Sequence, residues 1–396
     1  MSIQKFSWKN PRNPEGKPTV CVVRYGAFGD VVQAVSVCKA LKDAGYYVCL
    51  MCSHPSSEVA ALEPSIDEKI VQLPNQVPMA WLGHYWVYMS KRWKGKGFDK
   101  WVNLCESVET TLLAMEGSIR FEWPPAARHE AMNRNYLEWQ HKLAGVPYKP
   151  YFKFYATPEE LKWRDQERER MRKAGIQKFV LWCLAGSSRA HKLYPHQLSI
   201  WQHVFQHYKQ WGVVTLGDGS TTELEAGCDG EKRLWKTSGK WTIRQALAMM
   251  EIADVVFGPE TGVMSAAAFY PMPKICLLTH STVENLTRDW INTTSIWAPN
   301  TWCPGRGKNE APACHMLHGK FEPGCRRNED YGVAQCTVEI KPEWVWEHLQ
   351  AAMRTGLGGT WKAPSNVLSS NNLNVVTRPA VSDITSMTTA TRISNS

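Results

Sequence analysis

A chain of 396 residues, 43% hydrophobic and 21% charged, has enough apolar material for full cores; at roughly 150 residues per domain it holds two or three units, and two is the working number. That balance excludes a chain disordered throughout, and the absence of any apolar run near the roughly 20 residues of a membrane span excludes transmembrane helices. The N-terminal MSIQKFSWKNPRNPEGKP lacks the apolar centre of a secretion signal, so a cytoplasmic location is expected, the 12 cysteines should be thiols or metal ligands, and the net charge of +9 fits an anionic partner without specifying which.

After a polar leader (residues 1–18), the β-branched run 19–24 predicts a strand that ends in the turn Tyr25-Gly26-Ala27-Phe28-Gly29-Asp30. From Asp30 the apolar positions Val31, Val35, Cys38 and Leu41 keep helical spacing, and Ala44-Gly45 supplies a glycine stop. Residues 47–52 form a second strand and complete a β-α-β unit. A helix at 57–62 and a strand at 69–73 continue the alternation. In residues 79–96 aromatics and bases interleave, giving either a surface that stacks on bases or sugars and pairs with phosphates, or an amphipathic helix with core aromatics and solvated lysines. A strand at 98–104 and helices at 109–115 and 133–143 complete the first domain, residues 19–156.

Thr157-Pro158-Glu159-Glu160 opens a helix with a cap, a proline at the first helical position and acids in the first turn, and the domain boundary falls near its start. A strand at 179–184 runs into Ala185-Gly186-Ser187-Ser188. Next come a helix carrying Leu198, Trp201, Phe205 and Tyr208, a strand at 213–216 with Gly217-Asp218-Gly219 behind it, and a helix at 243–252. Residues 255–268 then read as a buried strand, a break at Gly258-Pro259, and a small-residue helix opened by Thr261-Gly262. Unpaired N–H groups at such a helix start can hold an anion, and Gly262 lets a phosphate approach closely. A strand at 274–278 follows. The fold class is therefore α/β, with two Rossmann-like domains whose parallel sheets face across a cleft, the second spanning 157–340. Residues 303–336 form a Cys-rich loop, 341–355 a closing helix and 356–396 a Ser/Asn/Thr-rich tail expected to be disordered.

A glycine turn after a strand is a weak sign of phosphate binding, but one in each half strengthens it. Residues 258–268 lack P-loop spacing, and residues 26–30 lack the third glycine of a dinucleotide fingerprint, so neither ATPase nor dehydrogenase chemistry is supported. Asp30 alone reads as a helix N-cap and Lys192 alone as a surface lysine. Glu223 or Glu225, after the Gly217 turn, could accept ribose hydroxyls or be exposed helical glutamates. Cys303, Cys314, Cys325 and Cys336 recur every eleven residues around His315 and His318 and could hold a structural zinc, although their spacing is wider than the close pairs of zinc motifs. Cys49 and Cys52, on a strand, point to opposite faces and read as core thiols.

Residues 24–32 together with 258–268 resemble the ADP-heptose:lipopolysaccharide heptosyltransferases. Ala185 to Lys192 is similar to that family's phosphate-side lysine motif, and Ser238-Gly239-Lys240 to its following glycine-lysine turn. The resemblance covers about residues 19–349 and implies a glycosyltransferase B fold, the acceptor on the first half, the nucleotide sugar on the second, and inverting transfer with no metal cofactor. It makes Asp30 the general base, with Gly26, Phe28 and Gly29 on the acceptor side. Lys192 and the amides of Thr261 and Gly262 would hold the diphosphate, with Gly186, Ser187, Ser188, Glu260, Val263 and Ser265 around the nucleotide sugar. A lysine and a helix start can stabilise a leaving diphosphate in place of magnesium. Glu260 and Ser265 stand where the family usually has Asp and His, which leaves the donor sugar open. The implied acceptor is a lipopolysaccharide core sugar at the inner membrane face, which would suit the basic aromatic stretch Trp81 to Trp101 and a peripheral membrane contact. Two other readings remain: a phage-type glycosyltransferase acting on modified bases in DNA, and a relative that binds nucleotide or nucleic acid without catalysis.

Overall fold

The structure, a computed structural model, describes residues 13, 16–54, 56–72, 98–106, 133–186, 189–279, 281–299 and 325–362. The aromatic and basic stretch 79–96, the helix expected at 109–115, Ser187, Ser188, Cys303, Cys314, His315, His318 and the tail from residue 363 lie outside the described residues.

Continuous apolar runs in the first half form strands covered on both faces, as a parallel sheet requires. Strands β1 (Thr19–Val23), β2 (Tyr47–Ser53), β3 (Glu68–Gln72) and β4 (Lys100–Asn103) pair in the order β3-β2-β1-β4, all parallel. Helix α1 (Phe28–Asp43) makes the crossover from β1 to β2 and buries Val31, Val35, Cys38 and Leu41. The helix expected at 57–62 is a shorter 3₁₀ turn, Ser56–Ala60. Its Ser56 hydroxyl donates to the Gly26 carbonyl at 2.6 Å, and Pro64 follows too soon for an α-helix to run on. Helix α2 (Tyr136–Ala144) starts where the Asn135 side chain accepts from the N–H groups of Leu137 and Glu138, and stops at Gly145, whose φ is 63°.

Helix α3 (Pro158–Lys173), with a Thr157–Glu160 capping box, leads into the second sheet. Its strands are β5 (Lys178–Cys183), β6 (Trp211–Leu216), β7 (Leu234–Lys236), β8 (Val255–Pro259), β9 (Lys274–Leu277) and β10 (Thr293–Ile296), in the order β10-β9-β8-β5-β6-β7 and all parallel. Counted from β5, this is the doubly wound order 3-2-1-4-5-6. Helices α4 (Gln197–His207), α5 (Ile243–Met250) and α6 (Gly262–Ala267) fill the crossovers, and α7 (Pro342–Thr355) packs on α4. The edge strands β7 and β10 are additions to the sequence reading. At three and four residues they show no apolar period.

One buried cluster joins the halves: Val35 and Leu50 of the first share it with Met249, Val256 and Met264 of the second. Helices α1 and α6 are in contact there. A second cluster covers the opposite face of the larger sheet, with Trp182 stacked on Phe257 at 3.7 Å and Val345 and Leu349 of α7 buried beside them. Arg244 fastens the halves at the connection. It holds Glu160 through Nε and Nη2 at 2.5 and 2.7 Å and donates to the carbonyls of Glu58 and Tyr155 at 2.9 and 2.8 Å. Further along, Asn135 donates to the Glu284 carbonyl at 3.2 Å and Asn285 to that of Arg134 at 2.8 Å.

The tail expected from residue 356 is corrected over its first seven residues. Gly358 and Gly359 donate to Asn292 and Thr294, each at 2.6 Å, and Trp361 is buried against Trp344 and His348. One large aromatic side chain in a polar stretch supplies the burial that holds this segment down. No helix among the described residues is long and apolar enough to cross a membrane.

Candidate active site

In open parallel sheets, ligands bind beyond the carboxyl ends of the strands where the winding reverses. In the larger sheet that point lies between β5 and β8, followed by Ala185-Gly186 and Glu260-Thr261-Gly262. In the smaller sheet it lies between β1 and β4, and the turn after β1 is Gly26 to Asp30. Both motifs singled out in the sequence therefore sit at switch points.

The Asp30 turn is built by short-range constraints. Gly26 has φ 128°, and a β-carbon there would fall 2.2 Å from Asp30 Oδ2, so only glycine leaves room for the carboxylate. Asp30 Oδ2 accepts the Ala27 N–H at 2.8 Å and Oδ1 accepts Arg24 Nη2 at 2.8 Å. Ser53 and Ser56 tie the turn from below by donating to the Gly26 carbonyl. Arg24 is 2% exposed at the end of β1, so a buried guanidinium orients Asp30 from behind. The bland reading of Asp30 as the N-cap is corrected: the N-cap is Ala27, and Asp30 is the third helical residue, whose carboxylate reaches back to the N-cap N–H.

On the other side of the cleft, the Thr261 hydroxyl caps α6 by accepting the Met264 N–H at 3.4 Å. Gly262 faces the first half: a β-carbon on it would fall 2.3 Å from Phe28 Cε2, and one on Gly29 would fall 3.0 Å from Gly262 Cα. The open side of Gly262 is thus taken by the Phe28 ring, and the two glycine turns touch. Val263 puts its side chain into the core, which leaves its backbone N–H as what it can offer a ligand. Ser265, with Gln33, Tyr148, Tyr151, Asp289 and Trp290, lines a small cavity of about 20 Å³ between the halves, room for about one water.

Gly186 and Lys192 come together, a β-carbon on Gly186 falling 2.9 Å from Lys192 Cδ. Lys192 Nζ stands 3.9 Å from Glu260 Oε2. The glycine-lysine turn follows β7 and packs beside the loop after β6, where Gly239 (φ 69°) lies against Gly219, and Lys240 donates to the Lys236 carbonyl at 2.8 Å. Glu225 is not available to ribose: it is buried and accepts from the Thr215 hydroxyl and the N–H groups of Thr237 and Ser238 at 2.5, 3.2 and 3.0 Å. Glu223 pairs with Arg189 at the surface.

No group of three or more His, Cys, Asp or Glu placed to hold a metal ion occurs among the described residues. Of the four cysteines considered for zinc, Cys336 is buried with its Sγ 3.7 Å from the Thr279 carbonyl, and Cys325 is half-buried. Cys49 and Cys52 are core thiols on opposite faces of β2.

No family model matches the chain, and no curated protein matches it. Solved structures do. The E. coli ADP-heptose lipopolysaccharide heptosyltransferase II superposes with a TM-score of 0.57 at 14% identity, over 85% of this chain and 98% of that one. The fold is that of the heptosyltransferases. A second structure with this heptosyltransferase fold is the dodecameric iron-containing TibC of enterotoxigenic E. coli H10407 in complex with ADP-D-beta-D-heptose, with a TM-score of 0.51 at 10% identity, over 86% and 77% of the two chains. Within the heptosyltransferase fold, the structure brings both glycine turns and Lys192, singled out from the sequence, to the cleft side of the sheets, whereas Arg24, which holds Asp30, and Arg244, which joins the halves, were not singled out. The signal for Arg24 was a cation closing an otherwise apolar strand six residues before an acid.

Proposed function

We propose that the chain is an inverting glycosyltransferase that moves a sugar from a nucleoside diphosphate sugar, ADP-heptose-like, to an acceptor hydroxyl. The observation that carries this is the meeting of two switch points, with the Arg24-oriented Asp30 on one side and Gly262 on the other, and Lys192 beside the adjoining Glu260. The heptosyltransferase fold supports it, since the first structure named above is an ADP-heptose enzyme.

In this reading Asp30 takes the proton of the acceptor hydroxyl as its oxygen attacks the anomeric carbon from the face opposite the diphosphate. The C–O bond to the diphosphate breaks, and the charge that develops on it is met by the Lys192 ammonium and the first N–H groups of α6. No metal is required for that step. The Phe28 ring has to leave Gly262 before a diphosphate can approach the α6 backbone. The acceptor is a lipopolysaccharide core sugar in the leading version of this reading.

The test is incubation with a panel of nucleotide sugars. One donor should release nucleoside diphosphate by slow hydrolysis, and Asp30→Asn should abolish transfer while leaving that donor bound. No release and no thermal shift with any donor would remove the enzyme reading. Turnover on duplex DNA, with binding that weakens steeply in salt, would replace the glycan acceptor by DNA.

A further inference from the structure

Glu260 follows β8 at the switch point and is 6% exposed, and its two oxygens face different ways. Oε1 accepts the N–H groups of Thr279 and Ser281 at 3.1 and 2.8 Å, which ties the end of β8 to the chain beyond β9. Oε2 accepts the Ser281 hydroxyl at 3.3 Å and stands 3.9 Å from Lys192 Nζ. The lysine stem is confined as well, since it lies against Gly186, where no side chain fits. Its side chain is 15% exposed and that of Glu260 3%, so the pair meets with little water between. A carboxylate placed against a diphosphate would oppose it as a like charge. One tied by two N–H groups and turned toward an ammonium has that repulsion offset by the neighbouring positive charge.

We propose that Glu260, rather than touching the donor, is a positioning residue that acts through Lys192. Its carboxylate fixes the ammonium where charge develops on the departing diphosphate. This rests on the glycosyltransferase reading above and narrows the part that Glu260 plays in it.

Glu260→Gln separates the two oxygens' roles, because an amide oxygen still accepts the Thr279 and Ser281 N–H groups while the charge facing Lys192 is lost. With the donor identified by the panel, Glu260→Gln should lower kcat about tenfold with KM nearly unchanged, the pattern of an interaction felt in the transition state. Lys192→Met should cost about 100-fold. The double variant should be no slower than Lys192→Met alone, since a residue acting only through the lysine has nothing left to do without it. Glu260→Asp, which keeps the charge but withdraws it by one methylene, is the second variant should Glu260→Gln lose its fold, and the same non-additivity with Lys192→Met is expected. Losses that multiply in the double variant, or an unchanged kcat in Glu260→Gln, overturn the positioning role while leaving the glycosyltransferase reading intact. A wild-type protein inactive with every donor overturns both.

Discussion

Asp30 owes its place to the absence of an atom. With φ 128° and a would-be β-carbon 2.2 Å from the carboxylate, Gly26 is the one position in the turn where a methyl group and the acid compete for the same space. Gly26→Ala should therefore act twice. The left-handed backbone and the steric conflict should cost about 1–3 kcal/mol, read as a lower urea midpoint. If Asp30 is the base proposed above, displacing it from Arg24 should lower kcat by at least about tenfold, because a proton acceptor moved by an ångström loses its alignment. Full activity in a destabilised Gly26→Ala variant would mean that Asp30 need not be held where Arg24 holds it. Arg24 itself shows how a residue's neighbours escape a linear reading. It closes β1 as a lone cation in an apolar strand, and only the fold puts its guanidinium 2.8 Å from Asp30 Oδ1.

Between elements, the contact that matters is α1 on α6, where a phenylalanine lies over a glycine. A β-carbon on Gly262 would fall 2.3 to 2.7 Å from three atoms of the Phe28 ring. Overpacking of this kind costs about 1–3 kcal/mol, whereas alanine in place of glycine at a helical position gains up to about 1 kcal/mol. The overpacking should win, so Gly262→Ala is expected to lower the thermal midpoint. In a Phe28→Ala background all three clashing ring atoms are gone, and the same substitution should be neutral or stabilising. A Gly262→Ala variant equally destabilised in both backgrounds would show that Phe28 is not what the glycine accommodates. This contact also marks where sequence reasoning stopped. Strands β1, β2, β5, β6 and β8 and helices α1, α3, α5 and α7 were legible because long apolar periods, caps and glycine stops are local signals. The edge strands β7 and β10 carry too few residues to show a period. The anion-binding reading of Gly262 came from local chemistry, and that Phe28 covers it depends on how two sheets far apart in sequence meet. Likewise Glu225 follows a strand as a ribose-binding acid would, yet its burial against Thr215 and Thr237 is a tertiary fact.

For the molecule as a whole, buried titratable groups predict a stability maximum on the alkaline side of neutrality. Lys274 is fully buried, and among the described residues its ammonium donates to the Tyr270 and Met272 carbonyls alone, at 2.7 and 2.8 Å. Burial without a carboxylate partner pushes its pKa down to about 7, below the value of roughly 10.4 in an unfolded chain. Between these values the unfolded chain holds a proton that the folded one lacks, so stability rises with pH, at a slope approaching about 1.4 kcal/mol per unit. Burial also lowers His141, His196, His203 and His348, which gives the same sign below about pH 6.5. The buried thiols oppose it. Desolvation raises Cys105 to about 11, Cys52 and Cys183 to about 12, and Cys21, Cys38 and Cys276 further. Above about pH 8.5, where unfolded thiols ionise, the folded chain keeps protons that the unfolded chain gives up, and several thiols outweigh one lysine. Urea unfolding across the range should therefore show stability climbing from acid to about pH 8 and falling beyond about pH 9. Lys274→Met, which removes the charge and keeps the bulk, should raise stability at pH 7 and flatten the climb between pH 7 and about 8.5 while leaving the alkaline fall in place. A wild-type profile that is flat from pH 6.5 to 8.5, or an unchanged climb in the Lys274→Met variant, would assign the pH dependence to groups other than this lysine.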